Sequence, residues 1–469
     1  MKKRTIFFFV FIVLMPRLLA QTDTQQVLQE AKKFRFLSPQ QQDIVKEGLF
    51  FAPWPILSYD QDKGWQIGAM LYVYDFGNGN SYPSPRQQWA IEASYYHKGS
   101  QQYTLKYDTK HLIPKVRLSV AATLNYDQAA NFYGFNGYMT KYDYAGIKLW
   151  TKQKDKTGLP MEYNPIFYRV EKMNFALKVD FSGNIIGKHF FWQAGYCLGW
   201  YKWSSVDRKK INKGKSADRV FDGNTLYDYF NLWGIIPSEE QKGGFSSAIR
   251  LGLMYDSRDV EMAPNKGLWA EGHLRLAPHF LGTTHSYYAY FLSVRHYIAI
   301  VNDVLTFAYR LNYKGTIGKY IPYYMMSIWS VFGQETDKEG LGGYRTVRGL
   351  LRNRVQGLDV AFFNAELRWK MFKFQLWKQN WCVAINAFCD GGLVTRKYNI
   401  SYKGTINSTI IEKYNEYVNQ TQKESLHLAA GGGAKLIINQ NFILAIDYAQ
   451  PFKKQDGGAC FYLNTGFLF

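Results

Sequence analysis

Gly342-Gly343-Tyr344-Arg345-Thr346-Val347-Arg348-Gly349-Leu350 opens the stretch on which the reading of this chain turns. It lies in a long polar segment. Val360-Ala361-Phe362-Phe363-Asn364-Ala365-Glu366-Leu367-Arg368-Trp369 follows with the alternation of a strand, and a second strand ends in Ala387-Phe388-Cys389-Asp390-Gly391-Gly392. Successive side chains of a strand point to opposite faces. Asn364, Glu366 and Arg368 therefore share one face, and Ala361, Phe363, Ala365, Leu367 and Trp369 the other. In the second strand Asn386 and Asp390 lie opposite Trp381, Val383, Ile385, Ala387 and Cys389. Each strand has an apolar face and a face carrying a carboxylate. Arg348, delivered by the preceding loop, is the natural partner of Glu366 and Asp390, because a charge-assisted contact offsets the cost of burying any of the three alone.

This arrangement resembles the BamA/TamA superfamily of outer-membrane barrels, also called the bacterial surface antigen family. In that family the loop after the eleventh strand folds into the barrel, and its Val-Arg-Gly-aromatic tip salt-bridges to acidic residues on the next two strands. Val347, Arg348 and Gly349 match the tip, and Glu366 and Asp390 match its acidic partners. Leu350 stands where the family usually has Phe or Tyr. The resemblance implies an all-β chain: a transmembrane antiparallel β-barrel of sixteen strands with an inward-folded loop after strand eleven. Family members insert barrel proteins into the outer membrane or move proteins or lipids to the surface.

Composition agrees. Aromatic residues make up 17% of the chain, with 36 Tyr, 33 Phe and 13 Trp, more than an exported soluble protein needs. A transmembrane barrel uses them in its outward apolar band and interfacial girdles. Beyond the first twenty residues no run of eighteen apolar residues offers a helical span. Residues 1–20 read as a signal peptide, with Lys2, Lys3 and Arg4, an apolar run from Ile6 to Met15, and Leu18-Leu19-Ala20 before the cut. Residues 21–53 are expected to be a short periplasmic segment with a helix at Pro39–Glu47 capped by Ser38, and residues 54–469 the barrel. Thirty-odd residues cannot hold the POTRA domains that family members carry there, so a separate periplasmic partner protein is expected to capture clients.

The formal net charge of +20 fits attraction to outer-membrane lipids, including an anionic glycolipid, or a basic lumen. The basic residues are scattered and export argues against a nucleic-acid partner. The four cysteines (Cys197, Cys382, Cys389, Cys460) fall in expected strands and read as wall residues. The eight histidines form no metal-ligand pattern and no nucleophile elbow is present, so no metal, cofactor or catalytic site is expected, and the chain does not read as an enzyme.

Strands are expected near 65–76, 86–98, 101–110, 115–126, 139–152, 164–182, 188–204, 243–257, 267–278, 285–299, 303–315, 359–371, 378–396, 425–437, 440–449 and 459–469. Residues 205–242 join Arg208-Lys209-Lys210 and Lys213 to Tyr227, Tyr229, Phe230 and Trp233, and read as an extracellular loop, with a lipid-head or glycan surface as the alternative. Asp256, Arg258 and Asp259, then Pro264 and Gly267, resemble the family's periplasmic hairpin between strands eight and nine, a turn that fixes register. Gly431-Gly432-Gly433 suggests a bend in the wall where the inward loop packs closely. The final Tyr462, Phe467 and Phe469 resemble the C-terminal recognition signal of outer-membrane barrels, with Asn464 at the usual Gly position. The function expected is an outer-membrane biogenesis or translocation factor; the alternative is a passive channel or structural barrel.

Overall fold

A computed structural model describes residues 44–60, 64–261, 263–333, 335–405, 407–418, 423–465 and 467–469. Its body is one antiparallel sheet of sixteen strands in sequence order. The strands are β1 Leu49–Asp60, β2 Gly64–Asp75, β3 Gln87–Tyr96, β4 Gln101–Ile113, β5 Val116–Asn131, β6 Arg169–Ile186, β7 Phe190–Ser204 and β8 Gly243–Asp256. The second half comprises β9 Gly267–Ala277, β10 Tyr287–Val301, β11 Leu305–Ile317, β12 Asp359–Leu376, β13 Gln379–Arg396, β14 His427–Ile438, β15 Phe442–Pro451 and β16 Cys460–Thr465. One face is apolar and exposed, as with Trp200, Leu251, Leu253, Leu311, Leu367 and Ile385; the other buries polar residues such as Lys178, Arg250, Arg275, Arg310 and Glu366. A soluble protein arranges its faces the opposite way. This inversion is what a wall between lipid and a polar interior requires.

Two expectations about strands are corrected. The stretch 139–152 is not a strand: Tyr144–Lys152 is a helix whose first turn is capped by Asp143, which accepts from the Gly146 amide. Tyr144, Ile147 and Trp150 recur at helical rather than alternating spacing. The missing strand is β1, which begins ahead of residue 54 and contains Pro53 and Pro55. Prolines are tolerated there because β1 is an edge strand. Pro53 lies opposite Leu71 and Pro55 opposite Ala69 of β2, so the ladder with β2 runs through both. Their nitrogens, two residues apart, therefore face the other edge, toward β16. The two errors cancel in the count, and the long segment still falls between the eleventh and twelfth strands. The signal segment and most of the Pro39–Glu47 stretch lie outside the described residues; residues 44–47 are irregular.

Among the described residues no ladder joins β1 to β16, although the two lie side by side. β16 stops at Thr465, short of the expected 469. Beyond its end Trp54 of β1 stacks on Phe442 of β15, with centroids 5.0 Å apart. The edge of Tyr72 meets the same ring.

The long connections at one end pack into a cap. Phe132, Phe135, Tyr227, Phe230, Trp233, Tyr323, Met325, Ile400 and Tyr417 belong to one buried cluster. Of the aromatics of 205–242, Tyr227, Phe230 and Trp233 are buried, Phe230 and Tyr227 within helix Leu226–Leu232, so these three offer no lipid-head surface, while Tyr229 is half-buried. Trp233 ties this segment to helix Ser408–Tyr417, its indole nitrogen donating to the Ile410 carbonyl (3.1 Å) and its ring meeting Tyr414 edge-on. Trp233→Ala should destabilise the cap by about 3–5 kcal/mol. The expected outcome is rapid tryptic cleavage of the purified protein after Arg208–Lys210, with the heat-resistant migration of the strand body unchanged.

Candidate functional site: a buried charge cluster at the tip of the 318–358 segment

The segment between β11 and β12 lies on the polar face of the sheet, held from both sides. Its tip is fixed by local chemistry. Thr346 Oγ1 accepts from the Gly342 amide (3.0 Å) and lies within hydrogen-bond distance of the Gly340 and Gly342 carbonyls, tying the turn that presents the next three residues. Val347 and Leu350 are buried among Leu341, Val355, Val360, Phe362 and Val394. Leu350, the departure from the family's aromatic, fills an aliphatic site. Gly349 has φ +90°, and a Cβ there would stand 2.7 Å from the Ala429 Cβ on β14. Both the backbone conformation and the closeness of the wall call for glycine. Its amide donates to the Tyr462 hydroxyl of β16 (3.0 Å).

Arg348 is fully buried. Its Nε donates to Asp390 Oδ2 (2.8 Å), its Nη2 to Asp390 Oδ1 (3.1 Å), and its backbone amide to Asp390 Oδ2 (3.0 Å). Nη2 also stands 2.6 Å from Glu366 Oε1, and Nη1 3.7 Å from Asp447 Oδ2. Arg368 Nε bonds the second Glu366 oxygen (2.7 Å), and Lys435 Nζ bonds Asp447 Oδ1 (2.6 Å). The cations Arg348, Arg368 and Lys435 thus balance the anions Glu366, Asp390 and Asp447. A neutral, hydrogen-bonded set is the condition under which buried charges are tolerated. The guanidinium carbon also lies 3.4 Å from the centroid of the Phe388 ring.

Sequence reading missed Phe388, Asp447, Lys435 and the role of Arg368, though each stands at an inward position of its strand. It also misjudged the glycines of β14. They do not make room for the segment itself. A Cβ on Gly431 would meet Phe388 Cζ at 2.6 Å, and one on Gly433 would meet Asp447 Oδ1 at 2.0 Å. Gly431 and Gly433 clear space for the β15 backbone and for Phe388 and Asp447, two wall residues that hold Arg348.

The other half of the segment is held by charges of the opposite arrangement. Here the segment supplies three acids to wall cations, while Asp180 of β6 pairs with Arg250 within the wall and Lys338 with Glu335 within the segment. Lys178 of β6 and Arg250 of β8 donate to the Val331 carbonyl (2.7 and 2.8 Å). Arg275 of β9 donates to Asp337 (3.1 Å), Arg295 of β10 stands 3.4 Å from Glu335, and Lys172 of β6 stands 2.7 Å from Glu339. Glu335, Asp337 and Glu339 alternate along the chain, and the cations occupy inward positions of their strands. That was the available signal.

The hairpin residues are close together at the opposite end of the sheet. Arg258 bonds both Asp256 oxygens (2.9 and 2.7 Å), Gly267 has φ +112°, and Pro264 lies in the turn between them. The chain end does not continue β16. Phe467 and Phe469 instead pack on the Arg368 guanidinium (4.4 and 4.7 Å), and Arg368 Nη2 donates to the Phe469 carbonyl (2.8 Å). None of the four cysteines is in a disulfide, and those at 197, 382 and 460 are buried.

The cluster holds no nucleophile beside a base; its chemistry is that of a clamp. Removing Arg348 leaves Glu366, Asp390 and Asp447 facing one another with two cations remaining. Arg348→Ala should lower stability by about 3–5 kcal/mol, read as a lower melting transition and lost heat-resistant migration. Arg348→Lys, which cannot bridge two Asp390 oxygens, should recover only part of it.

The model of the Omp85 superfamily domain matches residues 86–469. A solved BamA from Haemophilus ducreyi lacking POTRA domains 1-3 is similar at 13% identity and TM-score 0.49, over 90% of this chain and 70% of that one. CdiB from Escherichia coli is similar at 9% identity and TM-score 0.50, over 90% of this chain and 62% of that one. CdiB from Acinetobacter baumannii matches at 12% identity and TM-score 0.42, over 90% of this chain and 60% of that one. This chain therefore spans less than two thirds of either CdiB. No curated protein matches.

Proposed function

Since this chain belongs to the Omp85 superfamily, we propose that it is an outer-membrane barrel of the insertion or translocation type, acting in outer-membrane biogenesis with a separate periplasmic partner. In this reading residues 1–20 are cleaved as a signal peptide, the apolar face meets lipid, and the 318–358 segment folds into the lumen. Arg348 latches that segment to Glu366 and Asp390. Outer-membrane lipids, including an anionic glycolipid, surround the barrel.

The observation that carries the reading is the seam. Among the described residues every other pair of adjacent strands is laddered, while β1 and β16 are not. An insertion or translocation barrel needs one place where the wall parts without breaking the rest. The clamp around Arg348 supplies the complement by bonding the internal segment to β12, β13 and β15, and through the Gly349 amide to Tyr462 of β16, so that the wall on that side of the seam stays in register. A passive channel needs neither feature, and the segment would obstruct it.

Isolation from native outer membranes under mild detergent tests the partner. A stoichiometric periplasmic protein with substrate-binding domains is expected; a barrel that repeatedly comes alone, with a steady open conductance in planar bilayers, would instead establish a channel. The seam has its own test. Pro53→Val together with Pro55→Val restores two donors facing β16 and should stabilise the barrel by about 1–3 kcal/mol, the net worth of two hydrogen bonds. The same variant should slow whatever transport the wild type supports. An unchanged melting transition would mean that the prolines do not govern the seam.

A further inference from the structure

We propose that the turn between β8 and β9 is a movable floor across the lumen, and that Glu261 is the catch that holds it shut. On the barrel reading above, this turn lies at the end where β1 begins. The connection between β8 and β9 is long there, as is that between β2 and β3 (76–86), whereas β4 and β5 are joined by Pro114 and Lys115, and β12 and β13 by Trp377 and Lys378. A connection that only sets register needs about two residues.

The extra residues reach across the opening. Glu261 stands 2.8 Å from Lys110 Nζ on β4 and 2.7 Å from Arg117 Nη2 on β5, and Arg117 also bonds Asp108 (2.9 Å). Two residues further on, Ala263 is buried against Cys382 and Ala384 of β13, Ile437 of β14 and Ile443 of β15, with Phe467 packed alongside. Neither group of strands adjoins β8 or β9, whose neighbours are β7 and β10. Touching both requires the turn to cross beneath the interior.

Its base is braced from within. Arg258, held by Asp256, donates to the Glu261 carbonyl (2.8 Å), and Asp259 accepts from the amides of Val260 and Asn265 (2.9 and 3.0 Å). Asn265 is bonded by Lys370 of β12 (2.7 Å). The turn thus moves as one piece about Asp256 and Gly267, and the Asp256–Arg258 pair aims the carboxylate rather than merely closing a hairpin.

The catch differs in kind from the clamp at Arg348. Side-chain exposure is 43% for Lys110, 22% for Arg117 and 24% for Glu261, against 0% for Arg348 and 1% for Glu366. Partly hydrated pairs are individually weak and screened by salt. The floor is therefore releasable under conditions that leave the clamp intact.

Cys382 beneath Ala263 provides a built-in reporter. With Cys197, Cys389 and Cys460 changed to Ala, purified barrel in proteoliposomes is treated with a membrane-impermeant maleimide. Labelling of Cys382 should be slow in this parent and faster by about 5–30-fold in Glu261→Gln. It should also accelerate in about 1 M salt, where the screening length falls to about 3 Å, and Glu261→Asp should restore part of the protection. Heat-resistant migration serves as the folding control. Equal rates in parent and Glu261→Gln, both folded, would overturn the catch; rapid labelling of the parent would overturn the floor. If the three-alanine parent fails to fold, the native chain and Glu261→Gln are compared in planar bilayers. Longer or more frequent openings are expected in the variant, and identical traces would refute the proposal. None of these outcomes depends on a client or partner, so they leave the transport reading to its own test.

Discussion

Everything in this fold depends on burying charge without leaving it unbalanced. A wall with its apolar side outward forces its polar side chains inward, where lysine, arginine, aspartate and glutamate cannot all reach bulk water. The 318–358 segment resolves this by carrying both signs. Its acids at 335, 337 and 339 lie against the cations of β6, β9 and β10, and its Arg348 meets the acids of β12, β13 and β15. The segment therefore works as a counterion that spans the interior. Either end by itself would leave the facing wall with uncompensated like charges, a costly state in a medium of low polarity.

The molecule grades its strength from place to place. At the Arg348 cluster the charges are dehydrated and the contacts bidentate, so that opening it means exposing several ions at once. The cap is aromatic, held by edge-to-face packing of Phe132, Phe135, Phe230 and Trp233 and therefore by contact area rather than by one bond. At the rim opposite the cap the contacts are partly wet ion pairs. At the seam, where no ladder joins β1 to β16 among the described residues, Trp54 of β1 stacks on Phe442 of β15. Parts that move are drawn from the weak end of such a range.

Legibility in the sequence followed the same gradient. Arg348, Glu366 and Asp390 could be picked out because strand alternation assigns faces with no other knowledge, and the apolar faces of β12 and β13 left the carboxylates conspicuous. Phe388 stood on the polar face of β13 and passed unremarked, since a lone aromatic among polar residues carries no signal until a cation is known to lie over it. The helix Tyr144–Lys152 is hard to tell from a strand in the sequence, since aromatics at 138, 142 and 144 mimic alternation, whereas the Asp143 cap is a subtler mark. The cap itself was illegible: contacts such as Trp233 with Tyr414 join loops nearly two hundred residues apart, and no local pattern encodes them. The contacts of Glu261 were hidden for the same reason.

Pro53 and Pro55 have a consequence outside the finished barrel. A strand edge with a full row of donors and acceptors is a template on which any extended chain can add itself. The outer edge of β1 lacks two donors in succession, so it offers a stranger only half of each exchange. While the chain is still in water, with its apolar strands unshielded, that edge discourages it from joining copies of itself. Two rings that remove donors from the edge facing β16 also make that edge a poor template for another chain.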